Sequence, residues 1–174
     1  MNPTEIFELT FALKVVLWVE AIVYLGIGIV EIFDDFFRKL PSWTKLNGKL
    51  NAYLFIEDKM QHKFHAAICF FLGFIALNGI IEGAVSRFEI ELLFIGLALI
   101  MMLLWMILPP GRLALLMMLT KPETYLSVIM FVLFSDLIRA EIFYLCLGLN
   151  IWGLIVYFLN RSLIRIVKTY TFRH

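Results

Sequence analysis

Residues 11–31 read FALKVVLWVEAIVYLGIGIVE, and this stretch decides the fold because it is almost entirely apolar. A helix of about 20 mainly apolar residues crosses the hydrocarbon core of a bilayer. We predict that residues 11–31 form the first span of an all-α, polytopic integral membrane helix bundle. Comparable stretches follow at 64–85, 91–108, 124–138 and 141–160. Together they predict about five transmembrane helices in a single domain, 1–174.

The composition of the whole chain agrees with this prediction. Of its 174 residues, 62% are hydrophobic and 17% are charged, against about 45–50% and about 25% in an average soluble domain. The 17 phenylalanines far outnumber the single glutamine, so few polar side chains are left to coat a surface in water. This excludes a soluble enzyme core. The net charge of +1 gives no basic surface for nucleic acid.

The two cysteines, Cys69 and Cys146, both lie within apolar stretches. On the predicted spans they are about 15 Å apart in depth, at a rise of about 1.5 Å per residue. This separation excludes a disulfide, and two isolated cysteines do not form a zinc site. We expect no bound metal and no cofactor.

The segment from 111 to 160 is the hardest to divide into spans. Pro109 and Pro110 end the third stretch, because proline cannot continue a helix, and we interpret 112–120 as a re-entrant or interfacial helix. Five spans place 12 basic residues on one side and 3 on the other, whereas four spans give 8 and 7. Because Lys and Arg collect in cytoplasmic loops, we predict five spans in a cell membrane, with the N-terminus outside and the C-terminus cytoplasmic.

The loop 33–63 is predicted to carry an amphipathic helix that lies flat on the cytoplasmic leaflet. Pro41 and Ser42 are typical of a helix start, and Leu46 and Leu50 recur at helical spacing, while lysines occupy other directions. The lysines would contact the anionic headgroups of membrane lipids.

Glu20 is the first candidate for a functional residue. It lies about 14 Å below the outer end of its helix, where a charge costs about 2.5–3.5 kcal/mol. Glu31 follows eleven residues later and projects only about 20° to one side of Glu20. Two interpretations stay open: a proton or cation path along this face, or a protonated or ion-paired Glu20 that locks two helices together.

Four more polar residues within or beside the spans complete the candidate pathway: Glu82, Asp136, Arg139 and Asn150. Asp136 and Arg139 are three residues apart and are able to pair with each other. Alternatively, Arg139 reaches inward to Glu20 or Glu82. Asn150 lies midway along the last span, where it either lines a cavity or makes a hydrogen bond between helices.

Four glycines are predicted to let neighbouring helices pack closely. Gly26 and Gly28 are two residues apart in the first span. Gly79 and Gly83 have the small-xxx-small spacing of helix contacts in membranes.

These observations favour a non-catalytic membrane protein. We expect either a small transport or permeation protein that acts as a homo-oligomer, or a membrane-embedded subunit of a larger complex. The alternative is a redox or lipid-modifying membrane enzyme subunit, for instance one that holds haem between His65 and a methionine.

Overall fold

Helices form nearly all of the regular structure in the computed structural model, which describes residues 5–33, 59–107, 119 and 121–171. The elements in chain order are β1 (Ile6–Glu8), α1 (Phe11–Ile32), α2 (Lys59–Glu82), β2 (Ala84–Ser86), α3 (Arg87–Ile107), α4 (Pro122–Phe134), a 3-10 turn (Ser135–Leu137) and α5 (Ala140–Thr171).

Four of these helices are long and apolar enough to cross a membrane. The segments that qualify are Phe11–Ile32, Lys63–Glu82, Arg87–Met106 and Ala140–Leu159. Each overlaps a predicted span, so the predominantly helical fold is confirmed. The exception is α4, which has only 13 residues, against the roughly 20 that a straight crossing needs.

Two boundaries differ from the predicted ones for local reasons. The second span was expected to continue to residue 85, but α2 ends at Glu82 because Gly83 has a φ of +72°. Glycine takes this left-handed conformation without a steric penalty and commonly ends helices. The last helix was expected to end at residue 160, but α5 continues to Thr171. The basic residues that follow the last predicted span therefore extend the helix.

Two short strands join the start of α1 to the junction between α2 and α3. β1 pairs with β2 in antiparallel register, with Ile6 opposite Ser86 and Glu8 opposite Ala84. The amide of Arg87 also donates a hydrogen bond to the carbonyl of Glu5, at 2.8 Å. We call this end of the bundle, where α1 begins and α2 ends, the strand end.

The other end of the bundle, which we call the far end, is marked by a contact between α1 and α2. The Oε1 atom of Glu31, in the last turn of α1, lies 2.7 Å from Nδ1 of His65, near the start of α2. Arg139, between α4 and α5, instead bonds to Glu91 at the start of α3, so this junction lies at the strand end. The five helices therefore alternate in direction. Whether α4 crosses a bilayer stays a prediction.

The helices pack mainly as two pairs, α1 with α2 and α3 with α5, and α4 contacts α3 and α1. Glycines allow these close approaches. A Cβ at Gly96 of α3 would meet the buried Leu72 of α2, and one at Gly153 of α5 would lie 3.1 Å from the backbone of Met102. Neither glycine was among the predicted packing residues.

The four glycines predicted to pack divide into two kinds. A Cβ at Gly28 would lie 2.9 Å from Phe70, and one at Gly79 would touch Leu17 and Val85 at 3.6 Å, so both lie at contacts. Among the described residues nothing comes within 4 Å of a Cβ at Gly26 or Gly83. For these two glycines packing stays a prediction, since Gly26 faces outward from the described helices and Gly83 lies in the turn after α2.

Two predicted segments lie outside the described residues. The flat helix predicted from Pro41 onward falls within 34–58, and of the re-entrant segment 112–120 only Leu119 is described.

Candidate functional site

Glu20 is completely buried in the middle of α1, with 0% of its surface exposed. Neither of its carboxylate oxygens has a hydrogen-bond partner among the described residues. A buried polar group without a partner is uncommon, because it has lost its hydration without replacing it. Glu20 therefore needs an explanation beyond helix packing.

Tyr24 continues the polar character of the same helix face one turn further on. It is also 0% exposed, and its hydroxyl group has no hydrogen-bond partner within the described part of the chain. The carboxyl groups of Glu20 and Glu123 both act electrostatically on Tyr24. Tyr24 thus connects α1 to the start of α4.

Helix α4 contributes the second half of the cluster. Glu123 and Ser127 are four residues apart on one face, and they are 2% and 7% exposed. Oε2 of Glu123 and Oγ of Ser127 are again buried without a hydrogen-bond partner in the residues described, and α1 contacts α4. We call Glu20, Tyr24, Glu123 and Ser127 the polar cluster.

The sequence places these residues by simple helical spacing. Positions four apart share a face of a helix, so Glu20 brings Tyr24 with it and Glu123 brings Ser127. Pro122 is in the first turn of α4, where its missing N–H is not needed. This start fixes the face on which Glu123 is buried.

A second set of polar groups lies at the far end. His65 contacts Glu31 through Nδ1 at 2.7 Å, and its Nε2 lies 3.7 Å from the Sγ atom of Cys69. The side chains of both His65 and Glu31 are about nine-tenths buried. We call these two residues the Glu31–His65 pair.

Lys121 connects the polar cluster with the Glu31–His65 pair. Burial lowers the pKa of Lys121, and the carboxyl groups of Glu123 and Glu31 partly oppose this shift. Lys121 therefore lies within electrostatic reach of one carboxyl group from each set. The carboxyl group of Glu123, the amino group of Lys121 and the Glu31–His65 pair therefore lie between Glu20 and the far end.

The opposite direction from Glu20, toward the strand end, is apolar. Leu13, Val16 and Leu17 are all buried on the same face of α1. Leu17 and Val85 of β2 both touch Gly79, and Leu13 belongs to the same core cluster. We call Leu13, Leu17 and Val85 the apolar plug. It separates Glu20 from the strand end.

The predicted ion pairs of Arg139 are wrong. Arg139 neither pairs with Asp136 nor reaches Glu20 or Glu82, but makes a two-pronged contact with Glu91, from Nε at 2.8 Å and from an Nη atom at 2.7 Å. The 3-10 turn leaves Asp136 exposed and brings Arg139 against the first turns of α3. The hydrogen bonds that Arg139 donates to the Glu91 carboxylate raise the pKa of Arg139.

Further polar contacts hold the strand end together. Arg87 is paired with Glu5 at 2.5 Å and lies over the ring of Phe7, 5.4 Å from its centroid. The carboxylate of Glu89 accepts hydrogen bonds from the amide and hydroxyl groups of Ser86, both at 2.7 Å. These contacts hold the strand ribbon, which is the pair of strands β1 and β2, in place at the apolar plug.

The five predicted pathway residues do not come together. Only Glu20 belongs to the polar cluster, since Glu82 and Asp136 are exposed near the strand end and Arg139 pairs there. Asn150 is half-buried and donates to the carbonyl of Cys146 in its own helix, at 2.9 Å, so the predicted bond between helices is wrong.

Sequence reasoning missed Tyr24, Glu123 and Ser127 and considered His65 only as a haem ligand. The four-residue spacing of Glu123 and Ser127 was a usable signal, but Glu123 was placed between the re-entrant segment 112–120 and the fourth span, 124–138. Nothing in the sequence pairs Glu31 with His65, which are 34 residues apart.

The described residues include no group of three or more His, Cys, Asp or Glu side chains arranged to hold a metal ion. No known protein family, curated protein or solved structure matches this chain.

Proposed function

We propose that this chain is an integral membrane protein that moves protons, with Glu20 as the group that binds the proton within the bilayer. The observation that carries the proposal is the complete burial of Glu20 without a hydrogen-bond partner among the described residues. Ionisable residues inside membrane helices are rare and commonly mark proton or ion pathways.

The proposed arrangement has five crossings, with the strand end outside and the far end in the cytoplasm. The alternating helix directions and the 12 to 3 division of basic residues support it. Because α4 has 13 residues, the 3-10 turn that follows it would lengthen its crossing. Large apolar side chains on the outer faces of the helices, such as Trp18, Phe71 and Val132, would contact lipid.

Glu20 would work by alternating between a neutral and a charged state. A carboxyl group without a partner in an apolar environment is more stable protonated than ionised. Tyr24 lies one turn along the same buried face of α1, and its hydroxyl group is able to donate to the carboxylate after the proton leaves. The apolar surroundings thereby favour the neutral state, and Tyr24 offers a hydrogen-bond donor to the charged one. We expect the complete pathway to require a homo-oligomer or another membrane subunit, because five helices leave little internal room.

The direct test is proton flux into vesicles that contain the purified protein and a pH-sensitive dye. The native chain should dissipate an imposed pH gradient faster than empty vesicles, and Glu20→Gln should return the rate to that of empty vesicles. Glu82→Gln is the matched control, because Glu82 is exposed at the end of α2. Equal flux through the native chain and Glu20→Gln contradicts the proposal.

A second candidate is a membrane-embedded subunit of a larger complex, which the surface of α5 favours. Helix α5 packs mainly on α3 and leaves large aromatic side chains exposed within the described residues, among them Tyr144, Trp152 and Phe158. Purification in mild detergent distinguishes the two candidates. A second protein recovered in stoichiometric amount supports the subunit, provided that Trp152→Ala weakens its recovery, whereas the chain alone or as a homo-oligomer supports autonomous transport.

A further inference from the structure

The environment of Glu20 differs sharply between its two directions along α1. Toward the strand end the buried residues of this face are Leu17, Val16 and Leu13, all apolar. Toward the far end the same face continues with Tyr24 and reaches Glu31 in the last turn. Polar groups therefore approach Glu20 from one side only.

We propose that water and protons reach Glu20 from the far end alone, and that the apolar plug closes the strand end in this conformation. The inference rests on the proposed function. It adds the side from which the proton enters, the groups that carry it and the apolar plug that blocks the other side. The structure would then be one state of an alternating cycle, in which polar groups lead to Glu20 from the proposed cytoplasmic side alone.

The polar side offers a series of groups that are able to exchange protons. A proton from water at the far end would meet the Glu31–His65 pair, in which one ring nitrogen faces a carboxylate oxygen at 2.7 Å and the other faces Cys69 at 3.7 Å. Lys121 and Glu123 are the charged groups that α4 adds beside this pair. From Glu123 the step to Glu20 passes Tyr24, on which both carboxyl groups act.

The chemistry of this relay is proton transfer alone. Water at the far end gives up the proton. A relay group that already carries a proton passes it on and then accepts the next one at the lone pair that becomes free, and the Glu20 carboxylate finally forms an O–H bond. The reverse sequence returns the proton. No group is oxidised or reduced in these steps, so the relay needs no oxidant or reductant.

The apolar side lacks any such relay among the described residues. Leu17 and Val85 meet at Gly79, and Val85 is held in β2 by its pairing with Phe7 of β1. Opening the strand end would require these side chains to separate. The contacts of Arg87 with Glu5 and Phe7 hold the ribbon in place and would set the stability of the closed state.

Access of a small cation to introduced thiols tests this sidedness independently of transport. The background is the full chain with Cys69→Ala and Cys146→Ala, reconstituted in vesicles of known orientation. Silver ion is added from one side, and the thiols that remain free are then counted with a maleimide label after unfolding in detergent. Lys63→Cys reports the far end and Asp136→Cys the strand end, since both residues are exposed.

We expect Ser127→Cys to react from the side that reaches Lys63→Cys and about 100-fold more slowly from the other side, as the cost of an ion in hydrocarbon implies. Val128→Cys is the matched control, because it lies beside Ser127 but faces outward. It should react from neither side, and Leu17→Cys should behave in the same way. Reaction of Ser127→Cys from the Asp136 side at the rate seen from the Lys63 side overturns the inference, and so does equal reaction of Val128→Cys.

Two additions keep the test decisive. If Ser127→Cys does not fold, Glu123→Cys takes its place on the same face of α4. If labelling is one-sided but the vesicles carry no protons, the proposed function fails while the one-sided route to Glu20 stands. If protons flow but the cluster reacts from both sides or from neither, the sidedness is wrong and the function remains.

Discussion

Replacing Glu20 by leucine should make the protein more stable and inactive in proton transport. The carboxyl group of Glu20 is fully buried, and neither oxygen has a hydrogen-bond partner among the described residues. A buried, unsatisfied polar group costs about 1–3 kcal/mol, and leucine fills a similar volume without that cost. We therefore expect Glu20→Leu to raise the free energy of unfolding by about 1–3 kcal/mol.

The assay is equilibrium unfolding in mixed micelles of a mild detergent and dodecyl sulfate, followed by the loss of helical circular dichroism. Glu91→Leu is the matched control, because Glu91 is also a buried carboxylate but is paired with Arg139. Removing the partner leaves a guanidinium group unpaired, so Glu91→Leu should lower the stability. The two substitutions exchange the same residue types and should change the stability in opposite directions.

Two results would refute this reasoning. A loss of stability in Glu20→Leu would mean that the carboxyl group has a partner that stabilises it, as in a lock between helices. Retention of proton flux in the more stable variant would separate burial from transport and remove Glu20 from the mechanism. A gain in stability with loss of flux is the exchange expected when a functional residue is kept despite a structural cost.

Three further predictions concern packing and charge. Gly96→Ala should lower the free energy of unfolding by about 1–3 kcal/mol, because its Cβ would overlap the side chain of Leu72 in α2, which is fully buried. Gly26→Ala, in open space among the described residues, should change it by no more than about 1 kcal/mol. Arg139→Lys keeps the charge but loses the two-pronged contact with Glu91. The midpoint temperature of unfolding in detergent should therefore fall, and an unchanged midpoint would show that the two-pronged contact does not stabilise the fold. Burial lowers the pKa of Lys121 in the folded chain, so the unfolded chain binds more protons between that pKa and the usual value. The free energy of unfolding should therefore rise with pH across this window. Lys121→Met should flatten the rise, and an equally steep rise in the variant would contradict this prediction.

The positions of the long helices were predictable from hydropathy alone. Residues 11–31, 64–85, 91–108 and 141–160 each overlap a described helix of spanning length, because an apolar stretch of that length has few alternatives to a helix in lipid. Helix ends were less predictable. Gly83 ended α2 three residues early, since a single backbone conformation outweighs the hydropathy of the residues around it.

Glu20 was identified as the key polar residue because its position within an apolar stretch is visible in the sequence. Its neighbours were not visible in this way. Arg139 was the predicted partner of Glu20, and Glu82 and Asp136 were predicted to share its pathway, but all three lie near the strand end. The residue that Arg139 does bind, Glu91, was taken as no more than the start of a span.

The sequence by itself determined that this chain folds into apolar helices and that one carboxyl group lies in the middle of the first, because hydropathy and the rise per residue are local properties. It also determined where the basic residues lie along the chain, on which the predicted sidedness rests. Only the tertiary structure decided which groups face Glu20, because packing joins residues such as Tyr24 and Glu123 that are distant in the chain. The apolar plug on one side of Glu20 and the polar cluster on the other likewise arise from how α1, α4 and the two strands meet.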